Sequence, residues 1–241
     1  MKQFDTSSYD FSYIDQWIDK GMKHALIDVD NTLVKANITE LYFYLKKQAL
    51  RSQWRWILWC IYFAILWAPL YLLLDFINRE WFQRAFYRRY HEFSYDQIEE
   101  ASEMLFQQKC SSSLIEVTHD LIGYLKERNV NVVLLSTNID SMVRLYANFY
   151  GVSYMSLSLL QKGTQSIVLL NDLENFKLRS ASCYPPASVM AVADSKHDLP
   201  VLNYAAYSIV VANRRKAWMS KISGNCTIVP GLQLDKQAIG K

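Results

Sequence analysis

The chain has 241 residues, 51% of them hydrophobic and 20% charged, which suits one large domain, or a core domain with an insertion, around a sizeable core. A net charge of +3, with no Lys/Arg run and no basic residues interleaved with aromatics, excludes a phosphate-backbone footprint, so no nucleic-acid partner is expected. Four scattered cysteines (Cys60, Cys110, Cys183, Cys226) without CxxC spacing suggest neither a zinc site nor a disulfide framework, and read as buried free thiols in a reducing compartment.

The first residues include Tyr9, Phe11, Tyr13, Ile14 and Trp17 but no signal-peptide core, which predicts a cytoplasmic catalytic part. The apolar run His24-Ala25-Leu26-Ile27 reads as a buried strand, and Asp28-Val29-Asp30-Asn31-Thr32 follows it directly. Two carboxylates and a hydroxyl therefore sit where open α/β sheets bind ligands, and a carboxylate there serves as nucleophile or as ligand to a hard cation. Five of the seven tryptophans (Trp54, Trp56, Trp59, Trp67, Trp81) fall within a 28-residue window. Inside it, 19 uncharged residues run from 56 to 74, interrupted only by Pro69, which is the length of a transmembrane candidate. Ser94 with Gln97, and Ser113 with Glu116, fit capping boxes that open helices over about 94–109 and 113–128.

Val130 to Leu135 reads as a strand ending in Ser136-Thr137-Asn138, followed by an amphipathic helix stopped at Gly151. The residues from Tyr154 to Leu160, the pair Lys162-Gly163, and those from Ser166 to Leu170 predict a β-hairpin. A short helix around 174–182 precedes Pro185-Pro186, and the apolar run from Ser188 to Ala193 ends in Asp194-Ser195-Lys196-His197-Asp198. Tyr207 to Ala212, the basic stretch from Arg214 to Lys221, and Thr227 to Val229 predict a strand, a helix and an edge strand of the same sheet.

Three strand ends thus carry complementary polar groups, and Lys177 precedes the last of them. In sequence order, DVDNT, VVLLST, the lysine of ENFKLRS, and VADSKHD resemble the four motifs of the haloacid dehalogenase superfamily of phosphohydrolases, over most of the chain outside about 37–110. The resemblance implies an α/β fold: a Rossmann-like three-layer parallel sheet core (1–36 and 119–241) with an inserted, mainly helical cap (37–118) carrying an apolar hairpin at about 54–90. It further implies that Asp28 attacks phosphorus to form an aspartyl-phosphate, and that Asp30 protonates the leaving group before activating water. Asp28, the main-chain carbonyl of Asp30 and Asp194 would hold Mg²⁺, the expected cofactor, while Ser136 and Lys177 would bind the phosphoryl oxygens. Thr137 is an alternative to Ser136, and Lys162 or Arg179 to Lys177. Asp198 would orient Lys177 or the water shell of the metal, with Thr32 and Asn138 as supporting residues. Thr32 and Ser195 also suit plain turn caps, and His24, His91, His119 and His197 have no partner pattern that suggests a role. Asn31 and Ala193 stand where many members have glycine, a departure that narrows the loops around phosphate and leaves reduced or absent activity open.

A single crossing by residues 56–74 would put Asp28 and Asp194 on opposite sides of a bilayer, which one shared site forbids. An interfacial or re-entrant hairpin bent near Pro69 remains, or a helix buried in the cap core. Residues 37–93 hold eight Lys/Arg against four Asp/Glu, a balance of +4, and basic residues flank both ends of the apolar run: Lys46, Lys47, Arg51 and Arg55 before it, Arg79, Arg84, Arg88 and Arg89 after it. The expectation is an anionic membrane surface as partner, contacted by Trp54, Trp56, Trp59, Trp67 and Trp81, with the protein peripheral or monotopic on the cytoplasmic face. This arrangement is similar to that of the phosphatidylglycerophosphate phosphatases of the superfamily, and to the phosphatase-type domain fused to some glycerol-3-phosphate acyltransferases. Phosphoserine phosphatases are more distant, with a polar cap. The implied substrate is a phosphorylated lipid, phosphatidylglycerophosphate first, then lysophosphatidate or phosphatidate. Two alternatives stand beside it: a catalytically weak scaffold or assembly factor binding a membrane protein complex, and a soluble phosphatase of a small phosphate monoester.

Overall fold

The computed structural model describes residues 9–36, 38–109, 112–162, 165–168, 173 and 175–231. Its centre is a parallel sheet in which β1 (His24–Ile27) lies between β2 (Asn131–Ile139) and β6 (Val189–Ala193). With β3 (Ser153–Leu157), β7 (Tyr207–Val211) and β8 (Asn225–Val229) the order is β3-β2-β1-β6-β7-β8, every neighbour parallel. Alternate residues feed the two faces: Ala25, Ile27, Val132, Leu134, Met190 and Val192 join one core cluster, and Leu26, Val133, Leu135, Val189, Ala191 and Ala193 the other. Burial on both sides explains why these strands read as unbroken apolar runs. Helices α1 (Ser12–Asp19), α7 (Glu116–Glu127), α8 (Asp140–Tyr150), α9 (Phe176–Ala181) and α10 (Leu199–Tyr204) complete the three layers. Ile27 stands opposite both Leu134 and Val192, which brings Asp28, Ser136 and Asp194 to the same edge.

Between β1 and β2 the chain forms the helices α2 (Glu40–Leu50), α3 (Gln53–Tyr62), α4 (Ala68–Ile77), α5 (Arg79–Tyr87) and α6 (Tyr95–Lys109). The capping box predicted at Ser94 forms, with Ser94 N donating to Gln97 Oε1 (2.9 Å) and Gln97 N to Ser94 Oγ (3.3 Å). The one predicted at Ser113 does not. Residues 113–115 pair instead with the turn after β1, through Lys35 N to Ser113 O (2.7 Å) and Ile115 N to Leu33 O (2.9 Å), and α7 starts only at Glu116. The expected hairpin is displaced as well. Tyr154 belongs to the sheet as part of β3, and the antiparallel pair is β4 (Leu159–Lys162) with β5 (Gln165–Val168); Gly163, Leu169, Leu170 and Glu174 lie outside the described residues. The helix expected in the basic stretch is one short turn, Ala217–Lys221.

The apolar segment is a single helical run from Gln53 to Ile77, about 37 Å long at the helical rise, rather than a hairpin bent near Pro69. A widened π turn over Phe63–Trp67 precedes Pro69 and accommodates its missing N–H. The chain reverses at Asn78 instead, whose extended backbone (φ −156°, ψ 117°) and side-chain oxygen, accepting from Glu80 N at 2.8 Å and Trp81 N at 3.3 Å, cap α5. Nor is this helix buried in the cap core: only 11% of its most apolar 18-residue window is covered. Phe63 and Tyr71 face the protein, whereas Trp54, Leu58, Ile61, Ile65, Leu72 and Phe76 form a continuous exposed stripe at helical spacing. Of the five tryptophans expected at a membrane, Trp54 and Trp81 are exposed, but the other three are half-buried among cap aromatics. Trp56 stacks on Trp59 (centroids 5.3 Å), Trp59 lies against Phe63, and Trp67 lies under the Arg89 guanidinium at 3.9 Å.

Asn31, at the turn behind β1, has a left-handed backbone (φ 58°), which explains how it occupies a position that glycine also fills. Asn31→Gly is expected to leave stability within a few tenths of a kcal/mol, whereas Asn31→Val, β-branched at positive φ, costs about 1–2 kcal/mol in urea denaturation.

Candidate active site

Asp28 continues β1, its N–H donating to Val192 O (2.9 Å), and the chain then turns tightly so that Leu33 N and Val34 N both return to Val29 O (2.9 and 3.1 Å). That turn brings the Thr32 hydroxyl, fully buried, to Asp28 Oδ2 (3.2 Å) and Asp194 Oδ1 (3.5 Å). Lys177, near the start of α9, extends its ammonium to Asp28 Oδ1 (2.6 Å) and Asp198 Oδ1 (2.5 Å), and Ser195 Oγ donates to Asp198 Oδ2 (2.9 Å). Residues from two separate strand ends and one helix thus meet in one pocket. Arg179 is exposed and not part of this cluster, and Lys162 lies in β4, where only the backbone is described.

Carboxylate oxygens of Asp28, Asp194 and Asp198 lie within 4.8 Å of one another. This all-oxygen set, close to the main-chain turn at Asp30, fits a hard divalent cation such as Mg²⁺. Burial pushes Asp28 above the usual carboxylate range; Lys177 opposes the rise, and Asp198 and Asp194 add to it. Burial and Asp198 raise Asp194 likewise. For Lys177 burial acts downward but is overcome by Asp198 and Asp28, so the ammonium is held well above the ordinary lysine value and is a fixed cation.

Asp30 is not one of these three acids and lines a cavity with Asn138 and the cap residues Leu41 and Leu105. Asn138 Nδ2 donates to both of its oxygens (3.3 Å each), and removal from bulk water lifts it to about 7, with Lys177 and Asn138 pulling it back. A carboxyl poised there suits proton exchange near neutral pH. Ser136, buried in the C-terminal part of β2, accepts from Asn138 N (3.0 Å), which leaves its own proton to donate. Thr137 is engaged from the cap: Gln83 Nε2 donates to its hydroxyl and the Tyr87 hydroxyl to its carbonyl, both at 2.7 Å. Gln83 and Tyr87 were not marked by any motif; a glutamine among the aromatics of α5 is the one local hint. A cleft of about 260 Å³ opens beside Asp194, lined among others by Asn31, Lys35, Glu40 and Asn213.

Lys177→Met would leave two buried carboxylates without their cation, and a loss of about 3–5 kcal/mol is expected in urea denaturation without divalent metal. Unchanged stability would mean that these acids are neutral in the folded chain.

Residues 25–203 match the model of the haloacid dehalogenase-like hydrolase family. Among curated proteins none matches. Solved structures share the fold at low identity. A protein of unknown function from Bordetella pertussis Tohama I aligns with a TM-score of 0.63 at 11% identity, over 85% of this chain and 98% of that one. A phospho-aspartyl intermediate analogue of phosphoserine phosphatase aligns at 0.53 and 17%, over 85% and 92%. A HAD family hydrolase from Salmonella enterica subsp. enterica serovar Typhi aligns at 0.56 and 12%, over 84% of this chain and 66% of that longer one. With its parallel sheet, its helical insertion behind the first strand and a family match over most of its length, this chain belongs to the haloacid dehalogenase-like hydrolases and has the fold of their phosphatases.

Proposed function

We propose that this protein is a Mg²⁺-dependent phosphomonoesterase that works through an aspartyl-phosphate and acts on a phosphorylated lipid at a membrane surface. The observation that carries the chemistry is the Lys177 ammonium set among Asp28, Asp194 and Asp198, next to an Asp30 held apart from them. In the first step an oxygen of Asp28 bonds to phosphorus as the ester oxygen leaves, and Asp30 gives its proton to that oxygen. In the second, Asp30 takes a proton from water, the water oxygen bonds to phosphorus, and phosphate departs as the Asp28 carboxylate is restored. Lys177 and the Ser136 hydroxyl bind the phosphoryl oxygens, and Asn138 aims the Asp30 carboxyl. Asp28, Asp194 and the Asp30 carbonyl, with Asp198 behind them, would hold Mg²⁺, which would supply positive charge to the phosphoryl group.

The lipid part of the proposal is supported by the exposed stripe of the long helix. Each Leu, Ile or Phe side chain left in water forgoes about 1.5–3 kcal/mol of burial, and ten of them exposed along one helix are more than a soluble surface ordinarily leaves open. Basic residues at both ends favour a helix lying at headgroup level, on the cytoplasmic face, over one that crosses. Phosphatidylglycerophosphate in mixed micelles is the first substrate to assay.

Asp28→Asn is expected to abolish Mg²⁺-dependent turnover of p-nitrophenyl phosphate. Independently, Leu58→Glu with Leu72→Glu and Phe76→Glu is expected to abolish cosedimentation with vesicles of phosphatidylcholine and phosphatidylglycerol while leaving the aryl phosphate rate unchanged. Vesicle binding without turnover of any phosphomonoester would instead favour a scaffold on a membrane or membrane protein complex, and turnover without vesicle binding a soluble phosphatase.

A further inference from the structure

Helix α5 carries two i, i+4 pairs on adjacent faces. Phe82 and Phe86 pack on Tyr71 of the long apolar helix, with ring centroids 5.8 and 5.6 Å away. Gln83 and Tyr87, one residue on, are buried at 3% and 1% exposure and aim at the C-terminal stretch of β2, where they engage the hydroxyl and the carbonyl of Thr137. The next residue is Asn138. Its amide touches Asp30, its main-chain N–H is held by Ser136 Oγ, and its side-chain oxygen accepts from Ile139 N at 2.9 Å. The ladder to β3 does not fix this stretch, because the regular pairing is interrupted between Leu135 and Ile139. The cap does.

We propose that Gln83 and Tyr87 are positioning residues that hold Thr137 and Asn138 from the cap and, through the Asn138 amide, set the carboxyl of Asp30 against the leaving oxygen. The inference rests on Asp30 being the proton donor of the proposed phosphomonoesterase. It makes Thr137 the anchor of this stretch, through its hydroxyl oxygen and its carbonyl.

The consequence depends on the leaving group. p-Nitrophenolate departs without a proton, whereas an alkoxide requires one, so a misplaced Asp30 penalises an alkyl ester selectively. Tyr87→Phe and Gln83→Leu nearly conserve volume. Each is expected to lower kcat/KM for n-hexyl phosphate by about tenfold or more while p-nitrophenyl phosphate stays within about threefold. Thr137→Val removes the same contact from the loop side and keeps the test open if a cap variant fails to fold; combined with Gln83→Leu it is expected to add nothing further. Equal losses on both esters, no loss on either, or additive losses in the double variant would overturn the proposal. A wild-type chain inactive on both esters would overturn the phosphomonoesterase reading and this one with it, whereas an active wild type with variants blind to the leaving group would overturn this one alone.

Discussion

Three carboxylates cannot share a water-poor pocket without positive charge, and the buried ammonium of Lys177 between Asp28 and Asp198 meets that constraint. The rest of the architecture follows from the need to bring the charges together. A four-residue central strand runs directly into Asp28, Ser136 lies in the C-terminal part of one parallel neighbour and Asp194 directly behind the other, and only a parallel sheet sends all three to one edge. Lys177 arrives from a short helix that packs on the same face, and Ser195 fixes Asp198 beneath it. The ammonium leaves Asp194 without a direct ionic partner among the described residues, and the remaining negative charge is what makes the pocket fit a divalent cation.

The insertion after the first strand serves two surfaces. Its inner side is aromatic, with Tyr42, Tyr71, Phe86 and Tyr90 meeting edge to face and Phe63 tilted on Tyr71, and it reaches Thr137 of β2 through Gln83 and Tyr87. Its outer side is the uncovered stripe of the long helix. Helix α5 packs on the inner side of the long helix and on Thr137, so the helix that carries the apolar stripe and the edge of the sheet belong to one packed unit.

Much of the catalytic edge was legible in the sequence, because buried parallel strands are continuous apolar runs and a carboxylate placed directly behind one is conspicuous at Asp28 and Asp194. β3 was harder to see: on the edge of the sheet it alternates like half of a hairpin, and Tyr154 was grouped with the real hairpin downstream. At Ser113 a local capping signal lost to pairing with Leu33 and Lys35, a contact across most of the insertion. Pro69 was a natural place to expect a bend, but a widened turn absorbed it and Asn78 made the reversal. Tryptophan density pointed to the unusual segment without telling which rings face out, since aromatic residues serve a cap core as well as an interface. Gln83 and Tyr87 were invisible for a different reason: their partner lies 54 and 50 positions away, and no local pattern encodes it.

The central claim is that Asp28 becomes covalently phosphorylated. Acid quench of the Mg²⁺-loaded protein during turnover of an aryl phosphate, followed by peptide mass spectrometry, tests it directly. The account predicts a hydroxylamine-labile phosphoryl group on the peptide containing Asp28, absent from Asp28→Asn. Steady turnover with no adduct at Asp28, or with an adduct on another residue, would contradict it.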